Sequence, residues 1–256
     1  MDSTQRFSNR VDNYVKFRPG YPAQILRFLE ADHGFTPDWV VADIGSGTGI
    51  STTLFLENGN TVYGVEPNQA MRLKAEEQLH QYIAAARFIS IDGKAEQTGL
   101  TGNSINLIIA GQAFHWFNPE ATKTEFSRIC RKDGIIALLW NERKIETGLE
   151  KEYEMLLREY GSDYTKVNHK NITESDIGAF FHPQPFRLQI TGNDQTFHWE
   201  GLKGRLLSSS YIPDEKSTVY PDMIKKLEDI FHKYQQDGKV TIGYETKLYT
   251  GSPVPL

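Results

Sequence analysis

The 256-residue sequence has a single cysteine, Cys130, so it can form neither an internal disulfide nor a cysteine-based zinc site. Cys130 follows Phe126 and Ile129 on an apolar helical face and reads as a buried small hydrophobe. The seven histidines are scattered, with no HxxxH or HExxH pair, and the pattern calls for no metal. Long apolar runs are also missing. The best, GIIALLW at 134–140, is far too short to span a bilayer, and the opening MDSTQRFSNRV lacks an apolar signal region. The expectation is a cytoplasmic protein without membrane contact. Positive charge is in the minority, with 28 Lys and Arg against 33 Asp and Glu and a formal net charge of −5. That balance lacks the dense basic surface through which proteins hold phosphates by counterion release, so no nucleic-acid partner is expected. An RNA or protein partner stays open only through a local basic groove within the acidic total. The oligomeric state is not legible.

Strand-like runs alternate with helical patterns from about residue 38 to 140, as in a parallel sheet built from βαβ units. The runs are VVADI (40–44), TVYGVE (61–66), RFISI (87–91), INLIIA (105–110) and GIIALLW (134–140). Helices are predicted near 49–58, 68–81 and 119–131, the last with Asn118 as N-cap, Pro119 in the first turn and Glu120 behind it. After Trp140 the rhythm changes. Residues 146–183 and 200–236 are mainly helical, with apolar stripes at Leu149, Tyr153, Leu156, Leu157 and Tyr160, and at Met223, Ile224, Leu227, Ile230, Phe231 and Tyr234. Strand-like pieces recur at 186–199 and 239–250. The predicted fold is α/β, a Rossmann-like, seven-stranded, mostly parallel sheet with an antiparallel C-terminal edge strand and a helical cap. It forms one domain, with an N-terminal arm and helix (1–36), a cofactor-binding core (37–143) and a helical cap plus C-terminal strands (144–256).

The most informative stretch is VVADIGSGTG, residues 40–49. A glycine turn after a buried strand lets backbone approach a ligand beside the free amides of the next helix. A dinucleotide site would use G-x-G-x-x-G, but here Gly45, Gly47 and Gly49 alternate and Ile50 stands where the third glycine of that fingerprint belongs. Asp43 would repel a pyrophosphate and attract a ligand carrying an ammonium and a sulfonium. That charge pattern favours S-adenosylmethionine over a nicotinamide cofactor, so a nicotinamide-dependent reductase is the weaker alternative. Glu66, about twenty residues beyond the loop, is spaced to grip ribose hydroxyls.

These residues resemble the class I S-adenosylmethionine-dependent methyltransferases over about residues 7–143. VADIGSGTG is similar to the family's glycine motif, VEPNQAM to its acidic motif, DGKAEQTGL (92–100) to the loop at the adenine edge, and IAGQAFHWF (109–117) to the motif beside the transferred methyl. FSNRVDNYVKFRPGYP with QAFHWF resembles a small-molecule branch that includes trans-aconitate methyltransferase. By position, the resemblance gives Asp43, Gly45, Gly47 and Gly49 to the methionine part of the cofactor, Glu66 to the ribose, Ala95 and Glu96 to adenine and Gln112 to the methionine end, and it places Ser46 and Pro67 among the cofactor-binding residues. Ser46 stands where many relatives have cysteine or another small residue. Beyond Arg143 the resemblance fades, leaving SSSYIP (208–213) and IGYETKLYTG (242–251) as C-terminal similarities that do not name a substrate.

The implied activity is methyl transfer to a small molecule, with a macromolecular acceptor or a non-catalytic binding protein as alternatives. His115, just past the fourth strand, is the candidate catalytic residue. It would take a proton from a hydroxyl or orient a carboxylate, unless it is a packed histidine held by a backbone partner. Trp116 reads either as pocket wall or as core. Tyr14 and Arg18 form a second cluster, which either closes over the cofactor or lies as a surface arm with Arg18 snorkelling over aromatic rings. Arg143, three residues after Trp140, is placed to meet an anion, and with Arg18 it suggests an acceptor bearing a carboxylate.

Overall fold

A computed structural model describes residues 16–162, 164 and 172–253. The predicted alternation folds as helix α1 (Gln24–His33), then β1 (Val40–Ile44), α2 (Ile50–Glu57), β2 (Thr61–Val65), α3 (Gln69–Gln78), α4 (His80–Ala84), β3 (Phe88–Ile91), β4 (Ile105–Gly111), α5 (Pro119–Ile129) and β5 (Cys130–Arg143). Strand β1 pairs in parallel with β2 on one side and β4 on the other. The chain therefore reverses its direction of growth beside β1, and a crevice opens there at the carboxyl ends of the strands.

Both faces of these strands are covered, which explains why they read as apolar runs rather than as alternating patterns. Ala42, Ile44, Ile108 and Leu138 pack on one face. Val41, Leu107, Ile109 and Leu139 pack on the other with Ile25, Leu29 and Phe55. Helix α5 starts as its sequence demands, with the Asn118 side chain accepting from the Ala121 N–H at 3.2 Å and Pro119 in the first turn. Cys130 is buried at the helix-to-strand junction, and burial pushes its thiol up to about 12.

The C-terminal half comprises α6 (Gly148–Tyr160), α7 (Glu174–Phe181), β6 (Phe186–Gly192), β7 (Gln195–Phe197), α8 (Trp199–Leu207), α9 (Tyr220–Tyr234), β8 (Val240–Ile242) and β9 (Tyr244–Gly251). A capping box between Thr147 and Glu150 opens α6. The two predicted stripes meet in one apolar cluster, where Tyr153 and Leu157 of α6 and Leu227 and Phe231 of α9 join Leu202 and Leu206 of α8.

The main sheet has seven strands in the order β3-β2-β1-β4-β5-β9-β6. Its single antiparallel strand is β9, but β9 does not form the edge as expected. It inserts between β5 and β6, pairing Leu138 with Tyr249 on one side and Leu188 with Tyr249 on the other. The edge falls to β6, whose residues are half-buried or exposed, while β9 is mostly buried. Strands β7 and β8 form a separate two-stranded sheet. Among the described residues no helix is long and apolar enough to cross a membrane.

Candidate active site at the carboxyl edge of the sheet

The glycine loop is fixed by backbone geometry. The N–H groups of Gly45 and Ser46 donate to Val65 O at 2.8 and 3.2 Å, tying the loop to β2. Gly45 has φ of +69° and Gly49 +88°, and a Cβ on Gly45 would stand 2.7 Å from Ala113 Cβ. Only glycine meets both demands at that position.

Two carboxylates brace the loop. Glu66 accepts from the Gly47 N–H at 2.9 Å and from the Asn68 N–H at 2.8 Å, clamping the loop to the start of α3, and burial raises its pKa. Asp43 accepts from the Ser51 and Thr52 hydroxyls, each at 2.7 Å. The expectation that Asp43 faces the crevice needs correction. Its carboxylate is fully buried beneath the first turn of α2 and is not part of the cavity wall, because those two hydroxyls compensate its desolvation from below. Burial, with Glu66 nearby, pushes it up to about 6. Asp43 Oδ1 and Thr48 Oγ1 are buried without a hydrogen-bond partner among the described residues. A loop with left-handed glycines, two unanswered polar atoms and an acid beneath suits a polar ligand end that carries positive charge.

A cavity of about 150 Å³ extends from this loop towards the C-terminal helices. Gly45, Ser46 and Gly47 line it, as do Gln112, His115 and Trp116 beyond β4. Gln112 holds a left-handed backbone at φ +54°, and its side-chain Nε2 donates to Asn141 O at 2.8 Å, which leaves its carbonyl oxygen as an acceptor. His115 lies in a short 3-10 turn, Phe114–Trp116. Its Nδ1 is buried with no partner among the described residues, so the backbone-held packed histidine is not what the structure shows. Burial pushes its imidazole down to about 4, which keeps it neutral at neutral pH. Trp116 is wall rather than core, with 39% of its surface exposed and its ring 4.8 Å from that of His115.

Arg18, Pro19 and Tyr21 cover the cavity from the N-terminal side. This segment is fastened by Gly20 O, which accepts from Asn141 Nδ2 at 3.0 Å and Asn193 Nδ2 at 2.8 Å. Tyr14 lies outside the described residues. Arg143 is on the wall, but it does not offer an uncommitted charge to an anion. Its guanidinium forms a buried ion pair with Glu154 and lies 5.1 Å from the Tyr153 ring centroid. The remaining candidates sit off this wall. Gly49 caps α2, Pro67 is half-buried beside Glu66, and Ala95 packs in the core. Glu96 accepts from the Asn118 N–H at 2.8 Å, which ties the loop after β3 to the start of α5.

Sequence reasoning missed Arg205, Tyr164, Tyr211 and Tyr244, all on the cavity wall. A signal for Arg205 was available. It follows Leu202 by three residues and precedes Leu206 by one, so it falls on the buried face of α8, where an unpaired charge is costly.

Residues 42–138 match a family model described as a methyltransferase domain. The chain is 31% identical over 275 residues to the protein named probable S-adenosylmethionine-dependent methyltransferase CRG1 of Saccharomyces cerevisiae, covering 93% of each. This chain belongs to the S-adenosylmethionine-dependent methyltransferases. That membership sets aside the nicotinamide-dependent reductase. An uncharacterized methyltransferase of Mycobacterium tuberculosis is 30% identical over 158 residues, a match that spans 59% of this methyltransferase and 58% of the length of that relative. A solved structure assigned as a type II methyltransferase from Anaeromyxobacter dehalogenans shares the fold with a TM-score of 0.68 at 20% identity, over 94% of this chain and 100% of that one. Geranyl diphosphate methyltransferase in complex with SAM is similar in fold at a TM-score of 0.51 and 14% identity, over 91% of this chain and 85% of that one.

Proposed function

We propose that this methyltransferase moves the methyl group of S-adenosylmethionine to a small, anionic acceptor, with a carboxylate as the acceptor group. The observation that carries the reading is the shared wall, on which the glycine loop, Gln112 and His115 line one cavity with the arginines and tyrosines of the C-terminal half. The resemblance of FSNRVDNYVKFRPGYP and QAFHWF to the small-molecule branch supports it. In this reading residues 1–36, 37–143 and 144–256 act as arm, core and cap of one cytoplasmic catalytic unit.

S-adenosylmethionine supplies an electrophilic methyl group on a sulfonium. Gly45, Ser46, Gly47 and Gly49 would hold its methionine part, with Asp43 acting from beneath the loop. Glu66 and Pro67 would take the ribose, Ala95 and Glu96 the adenine, and Gln112 the methionine end. Tyr14, Arg18, Trp116 and Arg143 would bound the acceptor. An in-line displacement chiefly needs alignment, worth about 7 to 11 kcal/mol, which exceeds the roughly hundred- to ten-thousandfold expected from a general base. Neutral His115 is a weak base at its depressed pKa and suits hydrogen bonding or orientation of an acceptor that is already ionised.

The test is transfer of label from methyl-tritiated S-adenosylmethionine to a panel of carboxylic acids, phenols and amines. Base-labile methyl esters of the acids are expected. Turnover of phenols or amines alone would remove the carboxylate, and label entering only protein or RNA would remove the small molecule.

A further inference from the structure

Strand β5 crosses the core as the apolar stretch 135–140 and then carries an asparagine, still buried. Amides are depleted from buried strands because each polar atom there needs a partner. In Asn141 every hydrogen-bonding position is taken. Nδ2 donates to Pro19 O at 3.3 Å and to Gly20 O at 3.0 Å, while Oδ1 accepts from Asn193 Nδ2 at 3.0 Å and from the Thr246 hydroxyl. Its backbone carbonyl accepts from Gln112 Nε2 at 2.8 Å. Only a side-chain amide donates to two carbonyls while accepting from two donors, so the residue type follows from its partners.

What Nδ2 holds is a strap, residues 17–21, and an independent contact seats its other end. A Cβ on Gly204 of α8 would stand 2.1 Å from the Phe17 ring, so glycine there lets the ring lie against the helix backbone. Gln195 Nε2 donates to Phe17 O at 3.5 Å, and Asn193 Nδ2 is a second donor to Gly20 O. At the far end the Tyr21 hydroxyl lies 2.8 Å from where a Cβ on Gly111 would be, at the end of β4. The strap thus runs from the helical C-terminal half to the residue before Gln112, and Arg18, Pro19 and Tyr21 line the cavity together with Asn141.

We propose that Asn141 is a positioning residue for methyl transfer, whose side chain clasps the strap over the cavity while its carbonyl holds Gln112. The inference rests on the placement of S-adenosylmethionine at the glycine loop and Gln112, and on nothing about the acceptor. In-line transfer needs reactants held in register and water kept out, and a strap that loosens forfeits both and lets the spent cofactor leave sooner. Because one residue makes both contacts, the strap and Gln112 are set relative to each other by a single buried strand. The amide is what matters. Aspartate has nearly the same size and still accepts from Asn193 and Thr246, but once ionised it has no proton for Pro19 O or Gly20 O and repels both. When protonated it regains one O–H donor.

The experiment follows release of S-adenosylhomocysteine from the full chain by stopped-flow tryptophan fluorescence between about pH 5 and pH 9. Asn141→Asp should release it about tenfold faster than wild type at about pH 8 and approach the wild-type rate at about pH 5, where the new carboxyl is protonated. His115 and Asp43 are present in both proteins, so the ratio of the two rates isolates position 141. A fold that is merely less stable would not give a ratio that returns to one on acidification. Asn141→Leu, which has no donor at any pH, should be fast throughout. Gly204→Ala crowds Phe17 yet favours the helix, so it should speed release by a similar factor at every pH, and it carries the test if Asn141→Asp fails to fold. An Asn141→Asp ratio independent of pH, or a wild-type rate in Gly204→Ala, overturns the inference. Gln112→Leu separates it from the reading it rests on: unchanged S-adenosylhomocysteine affinity in that variant would take Gln112 out of the cofactor site and leave the clasp on the strap standing.

Discussion

The glycine loop between β1 and α2 turns residues 45–48 to the cavity, whereas the rest of the wall includes the side chains of Arg143, Tyr164, Arg205, Tyr211 and Tyr244. The loop's positive φ angles are ones that glycine adopts without strain, and its ties run to Val65 O and Glu66 at the end of the neighbouring β2. The opposite wall exists only after α6, α8 and β9 have packed, and its charges are set by which partners they find there. In the proposed reading one side would be a reusable cradle for a constant cofactor, and the other could change residue by residue to suit different acceptors.

The largest effect should come from breaking the ion pair in the C-terminal wall. Glu154 accepts from Arg143, from Tyr164 Oη at 2.6 Å and from Arg158 Nε at 2.7 Å. Glu154→Gln would leave Arg143 buried without its counter-charge, and removing one member of such a pair typically costs about 3–5 kcal/mol. Denaturant unfolding should show that loss, and the added Arg143→Met change should recover much of it. A loss that stays within about 0.5 kcal/mol would mean that this ion pair holds less than the geometry says.

The cradle should answer to a smaller change. Glutamine at position 66 offers only one oxygen to the two amides now held by Glu66, and it removes the charge that would accept ribose hydroxyls. Hydrogen bonds to a charged acceptor contribute about 1.5–3 kcal/mol, so Glu66→Gln should weaken S-adenosylmethionine at least about tenfold by calorimetry. Unchanged affinity would remove Glu66 from the cofactor site.

The same contrast accounts for what was legible in sequence. Strands β1 to β5 and the loop follow from local patterns, as does the capped start of α5 at Asn118, because each is decided within a few residues. The place of β9 was not legible, since pairing Tyr249 with both Leu138 and Leu188 is a long-range choice, although the polar alternation of Arg187, Gln189 and Thr191 in β6 fits an edge strand. Arg143 was found by its place at the strand end, but its ion pair depends on a helix that packs later in the chain. Arg205 was missed because its helix carries no motif, only a charge on the wrong face. Asp43 was located correctly, yet Ser51 and Thr52, one turn into the next helix, determine that it lies under the cavity rather than in its wall.

Asp43 also provides the smallest and most selective test of the cradle. Burial holds its carboxyl at about 6, against an ordinary 3.8, and the hydroxyls of Ser51 and Thr52 only partly offset that rise. A sulfonium and an ammonium placed over the loop would favour the ionised form, so binding S-adenosylmethionine should release a proton below pH 6. Affinity should then fall as pH drops from about 6, by at most about tenfold per pH unit, and level off above it. Stability of the free protein should move the opposite way. A carboxyl whose folded pKa is raised is best tolerated protonated, so its contribution is full below about pH 3.8 and is lost as pH rises through about 6. Asp43→Asn should flatten both curves, and S-adenosylhomocysteine, which lacks the sulfonium charge, should show a weaker dependence than S-adenosylmethionine. A variant that flattened stability while leaving the cofactor's pH profile intact would show Asp43 to be a brace for α2 alone, and the positive end of the cofactor would need another partner in the loop.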